Sequence, residues 1–230
     1  MCDMVAIHAS ENEAPFDEVG GVHRMMSLQN DRIRVLHIIP SMGMGGAERM
    51  IVDLLRSVGS DDRFDFHICC VERVNWYYDS KPPREPACLN HHGRWRDLSM
   101  LRQTVHKLHN VINDFRPHIL HSHLWFADFV AGLANRKRKL PHIVHFHDTC
   151  EWKTSTRLGF MFRRWLYSHL LVRPYVHFVS CSEIVARFHE TAFRIPNGKI
   201  TTVSHGVDLS LIHISEPTRL LSISYAVFCL

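Results

Sequence analysis

The chain has 230 residues, 46% hydrophobic and 22% charged, with a net charge of +4 and seven cysteines in no ligand or disulfide spacing. This is the composition of an α/β domain with reduced thiols, and it excludes a disulfide scaffold and a low-complexity chain. No apolar run approaches the ~20 residues that span a bilayer.

Residues 1–30 hold five acids against Arg24 alone, a net of −4, without periodicity or the apolar core of a signal peptide. They read as a disordered acidic extension, with Met25 or Met26 as alternative starts. The body, residues 31–208, therefore carries +8 of the whole chain's +4.

A short apolar strand, Val35 to Ile39, empties into a turn containing Gly43, Gly45 and Gly46. An amphipathic helix follows, with Met50, Ile51, Leu54, Leu55 and Val58 on one face and Glu48, Arg49, Asp53 and Arg56 on the other. Strand, glycine turn and helix bring unshielded backbone N–H groups to the positive end of a helix, where a diphosphate can sit. No Gly-Lys-Ser/Thr follows, so this is not a Walker A loop. Glu48 stands where a dinucleotide fingerprint needs its third glycine.

A second strand is predicted over residues 66–71, with at least one of Cys69 and Cys70 a buried small hydrophobe. Residues 72–97, with Pro82, Pro83, Pro86 and His91-His92-Gly93, read as a loop over the cleft face. The stripe Leu98, Leu101, Val105, Leu108 and Ile112 predicts a helix over 98–114. Two strand-like segments come next, residues 117–123 ending in His121-Ser-His123 and residues 141–148 ending in His145-Phe-His147-Asp148, with a helix over 127–135 between them. Residues 157–173 form a basic, aromatic, amphipathic helix, and Arg136-Lys-Arg-Lys139 ends the preceding one. Such a surface suits anionic lipid head groups, although packing on the sheet and the helix dipole explain the same pattern. No nucleic-acid module is present.

Nineteen histidines raise the question of a metal. Paired imidazoles at strand ends are where metal-dependent hydrolases gather ligands, yet Trp125 stands where the aspartate of one His-x-His-x-Asp-His class would fall. Hydrogen-bonded residues at the carboxyl edge of an open sheet account for the histidines equally well.

Gly45-Gly46-Ala47-Glu48-Arg49 after such a strand resembles the amino-terminal signature of family 4 glycosyltransferases, retaining enzymes of the GT-B fold. Later segments match that family in order. Pro117-His-Ile-Leu-His-Ser-His123 resembles its strand ending in H-x-H, His147-Asp148 its hydrophobic-H-D/T strand end, and Phe178-Val-Ser-Cys-Ser-Glu183 its V-S-x-S-E segment. Lys199 to Asp208 resembles the close of its first domain, with Ser204-His205 in place of Pro-Asn. The resemblance covers residues 34–208.

It implies an α/β fold, a doubly wound, mostly parallel, Rossmann-like sheet that forms the amino-terminal half of a GT-B enzyme. The implied activity is transfer of a sugar from a nucleotide-sugar donor to a sugar or lipid-linked acceptor with retention of configuration. The amides of Gly45 and Gly46 would approach the donor diphosphate, His147 the donor sugar near the reacting carbon, and Asp148 would fix its neighbourhood. His123 and the 72–97 loop would face the acceptor. No metal and no cofactor beyond the donor substrate is implied. The protein is expected in the cytoplasm, with a peripheral contact at the inner face of the membrane as a further reading. A metal-dependent hydrolase using the His-x-His strand ends and a non-catalytic acceptor-binding domain remain open alternatives.

Residues 209–219, Leu-Ser-Leu-Ile-His-Ile-Ser-Glu-Pro-Thr-Arg, are what the transposase end of a short-read sequencing adapter encodes. Ile223 to Leu230 likewise matches the translated flow-cell end, and Leu220-Leu221-Ser222 fills the index between them. Residues 209–230 are therefore expected to be an adapter-derived artefact following a truncated gene, with the donor-binding carboxyl-terminal domain missing.

Overall fold

Residues 32–59, 61–74, 82, 84–92, 97–149 and 157–204 are described in the computed structural model. The acidic extension expected over 1–30 and the tail expected over 209–230 lie outside them. The chain divides into two units, Met1–Arg32 and Ile33–Leu230, and the fold described is that of the second. Its elements in order are β1 (Ile33–Ser41), α1 (Gly46–Val58), β2 (Phe64–Arg73), β3 (Ala87–Cys88), α2 (Leu98–Phe115), β4 (Ile119–His123), α3 (Trp125–Asn135), β5 (His142–Phe146), α4 (Arg157–Leu166), β6 (Val176–Ser180), α5 (Glu183–Phe193) and β7 (Ile200–Thr202). A π-helical turn, Tyr167–Leu171, continues α4.

All seven strands are parallel and pair in the order β3-β2-β1-β4-β5-β6-β7. Alternation along each strand sends successive side chains to opposite faces. Val35 and Ile39 of β1 pack with Ile51, Val52 and Leu55 of α1. Leu36 and Ile38 pack with Leu108 and Ile112 of α2 and Val130 of α3. Val144 and Phe178, which share the α2/α3 face by register, pack with Val185 and Phe193 of α5. Helices thus lie on both faces, as an all-parallel sheet requires, and β4 and β5 depart from the continuous apolar run of such strands at their histidines.

Two local irregularities shape the site. Pro40 has no N–H to give the ladder, and the β1–β2 register shifts around it, from Ile39 opposite Cys70 to Ser41 opposite Arg73. The π-turn puts the hydroxyl of buried Tyr167 within 2.6 Å of Asp128 Oδ2. Ser122 Oγ donates to Asp128 Oδ1, also at 2.6 Å, and lies 2.8 Å from His142 Nε2. This buried network ties α3 and the end of α4 to the two strands that carry the paired histidines. Gly132 lets α3 close against the π-turn, since a Cβ there would lie 2.7 Å from Leu171 Cδ2.

The expected strand over 66–71 extends to Phe64–Arg73, and the helices expected over 98–114 and 127–135 run Leu98–Phe115 and Trp125–Asn135. Within the stretch expected as loop, Ala87–Cys88 pairs with Cys69 and Cys70 as an edge strand. Two residues are too short to carry a periodicity. Both Cys69 and Cys70 are fully buried, and burial pushes the Cys70 thiol up to about 12.

Candidate active site at the sheet switch point

The chain leaves β1 toward β2 on one side and occupies the other side from β4 onward, so the strand order reverses between β1 and β4. Open α/β sheets bind ligands at the carboxyl ends of strands beside such a reversal. The glycine turn follows β1, Leu124 follows β4, and His147-Asp148 follows β5, so all three border that edge.

The helices that begin there differ from those that begin elsewhere. Asp97 caps α2 by accepting from the N–H groups of Ser99 and Met100, and Ser182 caps α5 by accepting from Val185 N–H. In contrast α1, entered through Gly45, and α3, entered through Leu124, start without a side-chain cap. Their first-turn N–H groups therefore face the edge of the sheet with the positive end of the helix dipole behind them. Glu48, in the first turn of α1, folds back toward Gly45, where an added Cβ would collide with its carboxylate. At Gly46 an added Cβ would meet nothing within 4 Å among the described residues. Neither glycine adopts a positive φ. Among the described residues nothing in the fold thus requires glycine at 46, and the space beside it is open. Leu124, by contrast, holds φ 69° and ψ 146°, a conformation that side chains rarely adopt.

Five imidazoles meet on the face of the sheet that bears α1. His37 of β1 lies opposite His121 of β4, and His123 of β4 opposite His145 of β5; His147 follows just past the end of β5. His37 Nδ1 is 3.1 Å from His123 Nε2, His123 Nδ1 is 3.0 Å from His147 Nε2, and His121 Nε2 is 3.3 Å from His145 Nδ1. Burial, reinforced by the neighbouring His145, lowers His37 to about 4. Burial first and the adjacent imidazoles second hold His121 and His123 well below the ordinary histidine value. His37, His121 and His123 are therefore neutral at physiological pH. The backbone beyond β5 is fixed from β6: Cys181 N–H donates to Phe146 O at 3.2 Å, and Cys181 Sγ lies 3.1 Å from His147 O.

Two sets of ring nitrogens, one each from His37, His121 and His123 and one each from His123, His145 and His147, lie within 4.8 Å of one another, close enough to hold a metal ion. The sets share His123. Both nitrogens of that ring already engage neighbouring imidazoles, so a metal in either set competes with a hydrogen bond.

The expected site residues are therefore distributed as follows. Gly45 and Gly46 open α1, His147 is half-buried at the edge of the sheet, and Asp148 is exposed beside it. His123, expected to face the acceptor, has 0% of its surface exposed and lies between His37 and His147. The described part of the 72–97 stretch contributes a cavity of about 300 Å³, lined by Glu72, Arg73, His91 and His92. His37 had no sequence signal beyond being a polar residue in an apolar strand, on the same parity as Val35 and Ile39.

Residues 44–211 match the family model Glycosyltransferase Family 4. The chain is similar to the putative glycosyltransferase EpsF of Bacillus subtilis (strain 168), 24% identical over 192 residues that cover 80% of this chain and 48% of that protein. Among solved structures it resembles Anabaena HepE in complex with UDP, with a TM-score of 0.55 and 14% identity over 84% of this chain and 50% of that one. It also resembles the sucrose-phosphate synthase of Thermosynechococcus elongatus, with a TM-score of 0.54 and 12% identity over 78% of this chain and 50% of that one. The UDP-N-acetylglucosamine 2-epimerase of Rickettsia bellii is as similar, at 0.56 and 14%, over 84% and 52% of the two chains. Structural likeness at this identity shows the fold alone, which serves more than one reaction. The chain spans about half the length of these relatives. The family model discriminates where the fold does not, and with nearly three quarters of its residues matched, the chain belongs to glycosyltransferase family 4.

Proposed function

We propose that this chain is the acceptor-side half of a retaining glycosyltransferase that moves a sugar from a nucleotide-sugar donor to a sugar or lipid-linked acceptor. A second domain, outside these residues, would grip the nucleoside and complete the cleft. The observation that carries this reading is the uncapped start of α1, with open space at Gly46, on the same sheet edge as His147. Amides at a helix start are suited to a departing diphosphate, whose negative charge grows as the sugar leaves; such preorganised donors act in the transition state without reorganising. The structures of HepE in complex with UDP and with UDP and glucose support a nucleotide-sugar as donor.

In this reading His147 reaches the donor sugar near the reacting carbon, and Asp148 shapes its surroundings. His123, being wholly buried, acts through His147, and the acceptor side falls to the cavity at Glu72, Arg73, His91 and His92. No metal or further cofactor is assigned. The place of action is the cytoplasm, with a peripheral contact at the inner face of the membrane. Leu158, Met161 and Trp165 of α4 are exposed at 71%, 57% and 54% and recur at helical spacing near Arg163 and Arg164, which suits an anionic lipid surface. No helix among the described residues is long and apolar enough to cross a membrane.

The test is a donor panel assayed on the complete protein and on this chain alone. Sugar transfer by the complete protein, with none by the chain alone, is the expected pattern. Robust transfer by the chain alone would refute the two-domain reading, and zinc-dependent hydrolysis without transfer would favour the hydrolase.

A further inference from the structure

The imidazole cluster lies on one face of an all-parallel sheet, where side chains are ordinarily apolar. His145 and His147 flank Phe146, so alternation sends both rings to the same side, 4.3 Å apart between centroids, and register sets His123 of β4 beside His145. Two rings from one strand end and a third from its neighbour converge there: one nitrogen from each lies within 4.8 Å of the other two. His123 Nδ1 is 3.0 Å from His147 Nε2. Four-coordinate zinc, with Zn–N bonds of about 2.0–2.1 Å, holds its ligand nitrogens roughly 3.3–3.4 Å apart, so this pair has to open by only a few tenths of an ångström to admit an ion.

The two remaining rings fit the place of outer partners. A ligating imidazole keeps its proton on the nitrogen turned away from the ion and donates it to a second group that fixes the ring. With His123 ligating through Nδ1, its Nε2–H faces His37 Nδ1 at 3.1 Å; with His145 ligating through Nε2, its Nδ1–H faces His121 Nε2 at 3.3 Å. All five imidazoles thereby have a part, three as ligands and two as acceptors. His37 then carries its proton on Nε2, buried without an acceptor among the described residues, a cost that the bonds to the ion must outweigh. His37, His121 and His123 form a second convergent set. A neutral ring has one bare nitrogen, so His123 serves one set at a time and the two sets hold one ion between them. The set with His147 is the one at a strand end, on the edge of the sheet, and His147 is half-buried, which gives an ion its way in.

We propose that His123, His145 and His147 form a binding site for one divalent ion of the zinc class, with His37 and His121 as positioning residues that hold two of the ligand rings. Three protein ligands leave the fourth position to water. Binding replaces the His123–His147 hydrogen bond, and each ring keeps its single proton on the nitrogen away from the ion, so none is released. The ion is no part of sugar transfer, to which no metal is assigned. Its consequence for transfer rests on the proposed transferase function: an ion on His147 withdraws that ring from the donor sugar, and zinc inhibits.

The experiment titrates the 230-residue chain, stripped with EDTA and kept reduced, with zinc sulfate by calorimetry and with cobalt chloride by visible absorption. The expected result is one ion per chain with a Kd of about 1 μM or tighter, and cobalt bands of tetrahedral intensity without the near-ultraviolet band that thiolate ligands give. His147→Ala and His145→Gln should each weaken zinc binding more than about a hundredfold, and His37→Phe, which removes an outer partner, by about 10–100-fold. His177→Gln, at an exposed histidine outside the cluster, should bind like the parent. Absence of binding at that level, a cobalt–thiolate band, or an affinity unchanged in His147→Ala overturns the site, and an affinity unchanged in His37→Phe overturns the positioning role. Should His145→Gln or His37→Phe not fold, the parent and His147→Ala decide. In the complete protein zinc should inhibit sugar transfer and EDTA restore it; stimulation by zinc overturns the inhibitory role. Ion binding is read without sugar transfer, so the site and the transferase reading can each fail alone.

Discussion

The Tyr167 hydroxyl lies 2.6 Å from Asp128 Oδ2, deep beneath the site and inside the domain, and joins the π-turn after α4 to α3. Ser122 supplies the donor to the other oxygen of that side chain, so a buried carboxyl group is held by two hydroxyls brought together from separate elements.

Tyr167→Phe removes one of those donors while preserving the ring. Leaving a buried acceptor without its partner costs about 1–3 kcal/mol, and about 1 kcal/mol moves the melting temperature of a domain this size by roughly 2–4 °C. The variant should melt several degrees lower by circular dichroism. An unchanged melting temperature would show that the carboxylate finds another donor.

Gly46→Val should leave the fold nearly intact, because position 46 has an ordinary φ and an added Cβ meets no neighbour within 4 Å among the described residues. By helix propensity valine is no worse than the glycine it replaces, which itself lies about 1 kcal/mol below alanine. If the proposed function holds, binding of the donor's nucleoside diphosphate to the complete protein, measured by calorimetry, should nevertheless weaken about tenfold, a loss of ~1.4 kcal/mol. His147→Ala should instead lower turnover far more than nucleotide affinity. If the nucleoside diphosphate binds both variants like the parent and turnover is intact, neither the glycine turn nor His147 lies at the cleft.

Acid should destabilise the domain well above the carboxylate range. Burial lowers His37 and His189 to about 4 and His142 to about 3, from 6.5 in the unfolded chain. His145 adds to the shift at His37, while the Val185 carbonyl and Asp148 partly oppose it at His189. Between the folded and unfolded values the unfolded chain binds more protons, so this stability is fully present above about pH 6.5 and is lost as pH falls toward 4. Each histidine contributes a slope of about 1.4 kcal/mol per pH unit within its window. Urea midpoints at pH 7.5, 6 and 5 should fall in that order, and a flat series contradicts the burial of neutral histidines.

Removing residues 209–230 should change the melting temperature by less than about 2 °C, the equivalent of under about 1 kcal/mol. If the segment is adapter-derived, it has no evolved packing to lose. A fall of several degrees would show that the tail belongs to the fold.

The strand, glycine turn and helix of residues 35–58 were legible in the sequence because their signals are local: apolar spacing, missing side chains and a helix start within a few residues of one another. The order of the later segments was legible for the same reason, and it carried the family resemblance. β3 was not, since two residues have no period, and neither was the Tyr167–Asp128 contact, which depends on a π-turn packing against a helix 39 positions away in sequence. His121, His123, His145 and His147 could be read as strand-end residues, but their hydrogen-bond partners could not. Pairing His37 with His121 and His123 with His145 is a matter of register between strands 84 and 22 residues apart, and register follows from the packing of the whole sheet. Burial of His123 depends on that same packing, so only the tertiary structure could turn a residue expected to meet the acceptor into the middle member of a buried histidine chain.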